Sequence, residues 1–77
     1  MDANTKDDYG NTPLHLAAEV GIIEIVTWLC EKRKAAVTAL NDDGETPVDI
    51  AMLLGNWDIA RYLRNRIVKF NQVNSRK

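Results

Sequence analysis

The chain has 77 residues, a net charge of −1, 45% apolar and 27% charged residues, and a single cysteine, Cys30. That length admits one small domain of marginal stability, and the composition is that of an ordinary folded chain. A disulfide framework is excluded, because Cys30 has no partner, and no apolar run approaches the roughly 20 residues that cross a bilayer.

Met1 is followed by a polar, acidic stretch rather than a secretory leader. Together with the lone cysteine, this predicts a reducing, intracellular setting, cytoplasmic or nuclear. The charge is unevenly spread. Met1 to Asp49 holds ten acidic and four basic residues, a net −6, whereas Ile50 to Lys77 holds one acidic and six basic residues, a net +5. The two ends of the molecule therefore carry opposite fields.

Residues 1–6 form a polar lead-in without periodicity. Thr12 then offers a hydroxyl cap, and Pro13 suits the first position of a helix, where no N–H is needed. A helix is predicted from Pro13 to Val20, with Leu14, Ala17 and Ala18 as a narrow apolar stripe and Gly21 as its left-handed stop. A second helix follows from Ile23 to Lys32. Ile22, Ile25, Val26, Leu29 and Cys30 recur at spacings of three and four, the pattern of a buried face. Lys32, Arg33 and Lys34 complement the negative end of that helix.

Residues 35–40 read as loop or extended chain, and Asn41-Asp42-Asp43-Gly44 is a turn. Thr46-Pro47-Val48-Asp49 is a capping box in which the Asp49 carboxylate returns to the Thr46 N–H. This third helix is predicted from Pro47 to Leu54, closed by Gly55. The last helix starts at Asn56 or Trp57. Trp57, Ile59, Ala60, Leu63, Ile67 and Phe70 keep a helical period, so it is expected to reach Phe70, with 71–77 frayed.

One unit has been written twice. Gly10-Asn11-Thr12-Pro13-Leu14-His15-Leu16-Ala17-Ala18 returns, altered, as Gly44-Glu45-Thr46-Pro47-Val48-Asp49-Ile50-Ala51-Met52, an offset of 34 that also links Gly21 to Gly55 and Leu29 to Leu63. A unit of about 33 residues whose first helix opens Thr-Pro-Leu-His resembles an ankyrin repeat. Tetratricopeptide repeats share the 34-residue period but lack the Thr-Pro start. The resemblance implies an all-α, helix-turn-helix solenoid of about two repeats, 7–40 and 41–70, with an extended last helix. Asp2 to Asp7 resembles the tail of a preceding repeat, as in a piece of a longer array.

Three departures stand out. One residue is inserted between Cys30 and Asn41, and basic residues replace the usual glycine after the second helix. In the second unit Asp49 replaces His15 and Met52 replaces Ala18. With Arg61 and Arg64 on the outer side of the last helix, the second unit reads as a C-terminal cap. The side of the first unit facing the N-terminus has no neighbour, so Leu14, Ile22 and Val26 are candidates for exposure. Trp57 and Phe70 are expected in the core, and Trp28 in the core or in packing between repeats.

The chemistry for catalysis is thin. His15 is the sole histidine, and in the resembled family its imidazole bonds the loop backbone. Cys30 sits at a leucine-like position, where an inert buried thiol outweighs a nucleophile. One histidine and one cysteine make no zinc site. The four glycines lie singly, so no phosphate-cradling loop is present. The expectation is a non-enzyme with no cofactor and no metal.

A basic stripe of Arg61, Arg64, Arg66 and Lys69 interleaves with Trp57, Tyr62 and Phe70, which suggests nucleic acid. A solvated helix face explains the same residues best, binding to a protein or an acidic surface comes next, and the balance falls against nucleic acid. Asp7, Asp8, Asp42, Asp43 and Glu45 gather at the turns, either as solvated turn residues or as an acidic surface for a basic partner. The resemblance implies a protein-binding module. Its contact positions map to Asp8, Tyr9, Asn11, Glu19 and Val20 in the first unit and to Asp42, Asp43, Glu45, Leu53 and Leu54 in the second. Thr12, Pro13, His15, Gly21, Thr46, Pro47, Asp49 and Gly55 are its structural positions. Two alternatives remain: self-association through the uncovered repeat face, and an appendage to an enzyme whose catalytic domain lies elsewhere.

Overall fold

The computed structural model describes residues 3–75, with side chains through residue 68. Four helices follow in chain order: α1 (Pro13–Val20), α2 (Ile23–Lys32), α3 (Pro47–Leu53) and α4 (Trp57–Ser75). No strand occurs among the described residues. The chain is an all-α stack of two helical hairpins, as the repeat predicts. Helix α3 ends one residue earlier than expected, and α4 runs past Phe70 to Ser75. Residues 76 and 77 lie outside the described part.

The helix starts are duplicated to the atom. Thr12 Oγ1 accepts from the His15 backbone N–H at 3.4 Å, and Nδ1 of His15 accepts from the Thr12 N–H at 3.0 Å. At the second site the Thr46 hydroxyl accepts from Asp49 N–H at 3.2 Å, and the Asp49 carboxylate accepts from Thr46 N–H at 3.0 Å. Both are capping boxes, so two orphan donors are satisfied at each helix start. His15 thus fills the role that Asp49 plays, which its residue type did not announce.

Helix α3 closes in a Schellman turn. Gly55, at φ 76°, donates to Met52 O, and Asn56 N donates to Ala51 O, five residues back. At the end of α2 the corresponding bond, Ala35 N to Leu29 O at 3.0 Å, spans six residues. The extra residue sits there, and Lys34 takes the left-handed conformation, at φ 54°. The left-handed turn thus falls on a residue with a Cβ.

The core lies between the hairpins. Leu14, Ala18, Val26, Ala51, Ile59 and Leu63 are all buried to within 3% of complete. Two of the residues expected to be exposed are therefore buried: Leu14 and Val26 face inward, and only Ile22, at 42%, is exposed. The period of α2 merges two apolar faces. Val26, Leu29 and Cys30 point to the core, while Ile22, Ile25 and Trp28, each three residues apart, form a second stripe facing solvent. Trp28, read as core or inter-repeat packing, is not in the core: it is 51% exposed, with the Arg33 guanidinium 5.5 Å from its ring centre.

Trp57 is corrected in the same way, at 63% exposed. It stands two positions before Ile59, about 200° around the helix from it, so both cannot face the core. The side chain of Phe70 lies outside the described residues.

Bonds across the repeat offset knit the hairpins together. Asn56 Nδ2 donates to Ala18 O at 2.8 Å, and Asp42 N donates to Tyr9 O at 3.0 Å. The lead-in continues the stack: Lys6 Nζ donates to Leu40 O at 3.0 Å, and Asn4 Oδ1 accepts from Ala36 N at 2.9 Å.

Candidate binding groove

The groove is built on two identical turns. Asp7 Oδ1 accepts from the N–H groups of Tyr9 and Asn11, both at 2.9 Å. Asn41 Oδ1 accepts from Asp43 N at 3.0 Å and Glu45 N at 2.9 Å. Gly10 and Gly44 each donate back to the first residue of their turn at 3.0 Å. An Asx side chain holding two backbone donors makes each turn a rigid finger. Asn41 Nδ2 also reaches Asn11 Oδ1 at 2.9 Å, which locks one finger beside the other.

His15 anchors the second finger to the first helix. Its Nε2 lies 2.8 Å from Glu45 O, and its Nδ1 accepts from Thr12, so the ring proton sits on Nε2 and is donated to Glu45. The ring is fully buried. Both nitrogens are committed to structure, which leaves neither for acid–base work.

Between the fingers and the first helix of each hairpin lies an open groove of about 290 Å³, lined by Tyr9, Asn11, Glu19, Asn41, Asp43, Glu45, Ile50, Leu53 and Leu54. Seven of the ten predicted contact residues meet in it. Asp8, Val20 and Asp42 are exposed but do not line it. Tyr9 is 74% exposed, Leu53 76% and Leu54 52%, so neither leucine is taken up by α4. The groove therefore pairs an aromatic ring and two leucines with the carboxylates of Glu19, Asp43 and Glu45. Sequence reasoning missed Ile50 and Asn41. Ile50 stands one helical turn before Leu53 on the same face, a spacing that would have found it. Asn41 carried only a turn signal.

Cys30 is buried, and its thiol pKa is pushed up by burial and by the Glu31 charge, against a lowering from Arg66. A thiol held protonated is a poor nucleophile. No cluster able to hold a metal ion occurs among the described residues, and no helix among them is long and apolar enough to cross a membrane.

Comparison with known proteins agrees with this geometry. The family model described as ankyrin repeats, in three copies, matches residues 1–74. Ankyrin repeat domain-containing protein 37 of Xenopus tropicalis is 38% identical over 63 residues, covering 82% of this chain and 38% of that protein. The I-Kappa-B like protein G2 of Microplitis demolitor bracovirus is 49% identical over 43 residues, 56% of this chain and 26% of its own length. A Saccharomyces cerevisiae protein described as a probable 26S proteasome regulatory subunit p28 is 38% identical over 55 residues, 71% of this chain and 24% of that protein. The chain thus spans well under half the length of these relatives. With the duplicated Thr-Pro helix starts, the paired fingers and a family model running over nearly its whole length, the chain belongs to the ankyrin repeat family.

Proposed function

We propose that the chain is a non-catalytic protein-interaction module that holds a basic partner segment in the groove beside Tyr9. Ankyrin repeats are in general protein–protein interaction modules, and the relative named as a regulatory subunit works within a larger assembly. The observation that carries the reading is the convergence of Tyr9, Leu53 and Leu54, all more than half exposed, within a rim of Glu19, Asp43 and Glu45. Exposed aromatic and apolar groups supply contact area, and aromatic residues dominate interface energetics. The carboxylates select lysine and arginine and speed encounter. Burial of the lone thiol fits an intracellular setting, cytoplasmic or nuclear.

The test is a titration with an array of peptides that combine arginine or lysine with leucine or phenylalanine, against size-matched acidic peptides. The basic set binds, and Tyr9→Ala with Leu53→Ser removes that binding while helical content by circular dichroism stays the same. Binding that survives the double substitution overturns the groove assignment.

A second reading, self-association, rests on its own observation. Leu16, Ile22, Ile25 and Trp28 leave an apolar surface on the first hairpin, each between 40% and 51% exposed.

A further inference from the structure

A second polar concavity lies on the other helix layer, between the end of α2 and the middle of α4. It is an open notch of about 580 Å³ whose lining includes Glu31, Lys34, Ala35, Val37 and Arg66. A smaller hollow beside it shares Glu31 and Arg66 and adds Tyr62 and Asn65.

The polar groups are already ordered. The Tyr62 hydroxyl donates to Glu31 Oε2 at 3.1 Å and accepts from Arg66 Nη1 at 3.2 Å, with the guanidinium 5.7 Å from the Tyr62 ring centre. That bond fixes Arg66 through one donor, and the fork carries five. Lys34 supplies a second cation from a left-handed backbone, at φ 54°. Glycine takes this conformation without penalty, whereas an L-residue with a Cβ is disfavoured there. Strain of this kind collects at functional sites. Charge at a helix C-terminus does not require it, because Lys32 already stands in the last turn of α2.

We infer that this notch docks an acidic segment of a partner protein, with a glutamate or aspartate carboxylate received between Lys34 and Arg66. The ligand chemistry follows from the lining. Two cations call for an anion. Glu31 on the rim repels a doubly charged phosphate more than a singly charged carboxylate. The half-buried Val37 offers apolar surface to the aliphatic stem that carries such a carboxylate, with the buried Ala35 behind it. The volume exceeds one side chain, so several residues of the segment enter. This surface is separate from the groove of Tyr9 and of opposite charge preference, so one chain bridges a basic and an acidic partner segment.

The test uses the whole chain and a fluorescein-labelled peptide of alternating glutamate and leucine, read by anisotropy beside a glutamine-for-glutamate control peptide. The acidic peptide binds, the control does not, and added salt weakens the complex. Lys34→Gly relieves the backbone and removes the charge, so its melting temperature is at or above that of the parent. Its affinity for the acidic peptide falls about tenfold, the scale of one charge-assisted contact. Arg66→Gln gives a similar loss. Arg61→Ala removes the same net charge outside the notch and leaves affinity unchanged. Equal weakening by Arg61→Ala reduces the effect to overall charge and overturns the site. So does equal binding of the control peptide. Saturable binding of millimolar inorganic phosphate, read by a rise in melting temperature that Arg66→Gln removes, in a protein that ignores the glutamate peptide makes the notch a phosphate site and overturns the peptide assignment.

Discussion

His15 and Glu45, 30 positions apart, are joined by a 2.8 Å hydrogen bond from an imidazole N–H to a main-chain carbonyl. The bond ties the first helix of one repeat to the finger of the next. His15→Ala removes it, empties a fully buried site, and leaves the Thr12 N–H without its acceptor. The combined cost is about 2–4 kcal/mol. A chain of this size has roughly 4–12 kcal/mol to lose, so the substitution removes a substantial share of its stability. Urea denaturation measures it; a loss below about 0.5 kcal/mol contradicts a structural role for the ring.

Gly10 and Gly44 occupy equivalent places in the two fingers, at φ 78° and 75°, yet they differ in surroundings. A Cβ on Gly10 comes within 2.7 Å of the Asp42 backbone nitrogen and clashes with its carboxylate, whereas one on Gly44 meets nothing within 4 Å. Gly44→Ala therefore carries only the backbone penalty, about 1–2 kcal/mol. Gly10→Ala adds a clash with main chain and breaks the Asp42 N to Tyr9 O bond between fingers, for roughly 3 kcal/mol or more. Comparable melting temperatures for the two variants would show that finger stacking contributes little.

The architecture was legible because its signals are local. Thr-Pro starts, left-handed glycines and the turn residues act within four or five positions, and the 34-residue echo repeats each of them. Seven of the expected contact positions line one groove for the same reason, since equivalent positions of a repeat land side by side. Burial was less legible. Helical spacing reports that a face is apolar but not what lies against it, so Ile25 and Trp57 were assigned to a core that Leu14 and Val26 occupy, and Trp28 was left between the core and packing between repeats. The notch was invisible because Glu31, Lys34 and Arg66 meet only when α2 and α4 pack. The sequence reading took Lys32 to Lys34 as a helix-end charge pattern and Arg66 as part of a separate basic stripe.

The thiol of Cys30 predicts an alkaline limit to stability. Burial raises its folded pKa above the ordinary value of 9.0, so the folded state favours the protonated thiol. The resulting stabilisation is fully present below the unfolded pKa and is lost as pH rises through the higher folded value. Tyr62, raised by burial and by its bond to Glu31, acts in the same direction at higher pH. Unfolding free energy should thus be level through neutral pH and fall on the alkaline side of 9.0, with Cys30→Ala flattening the first part of the decline. A decline of the same shape in that variant would assign the limit to other groups. Alkylation of Cys30 by iodoacetamide should follow global unfolding rather than the titration of a free thiol.

The second stripe of α2 makes the last prediction. Ile22, Ile25 and Trp28 lie on the solvent side of the first hairpin, at 42%, 42% and 51% exposure, and Leu16 of α1 is 40% exposed. Adjacent repeats in a solenoid bury such faces against each other, and an exposed apolar face of this kind is a site for pairing with another copy. Apolar pairing responds weakly to ionic strength, whereas contact between the acidic and basic ends weakens as salt screens it. Sedimentation at rising concentration should show dimers that persist in high salt. Ile25→Lys should return the chain to monomer without loss of helix, because the side chain is 42% exposed and a lysine stem can keep its charge in water. Trp28 emission, followed in a Trp57→Phe background, should shift to the blue as dimers form and stay red in the Ile25→Lys variant. A parent chain that stays monomeric over the whole concentration range rejects self-pairing through this stripe, and dimers that dissolve in salt transfer the contact to the charged ends.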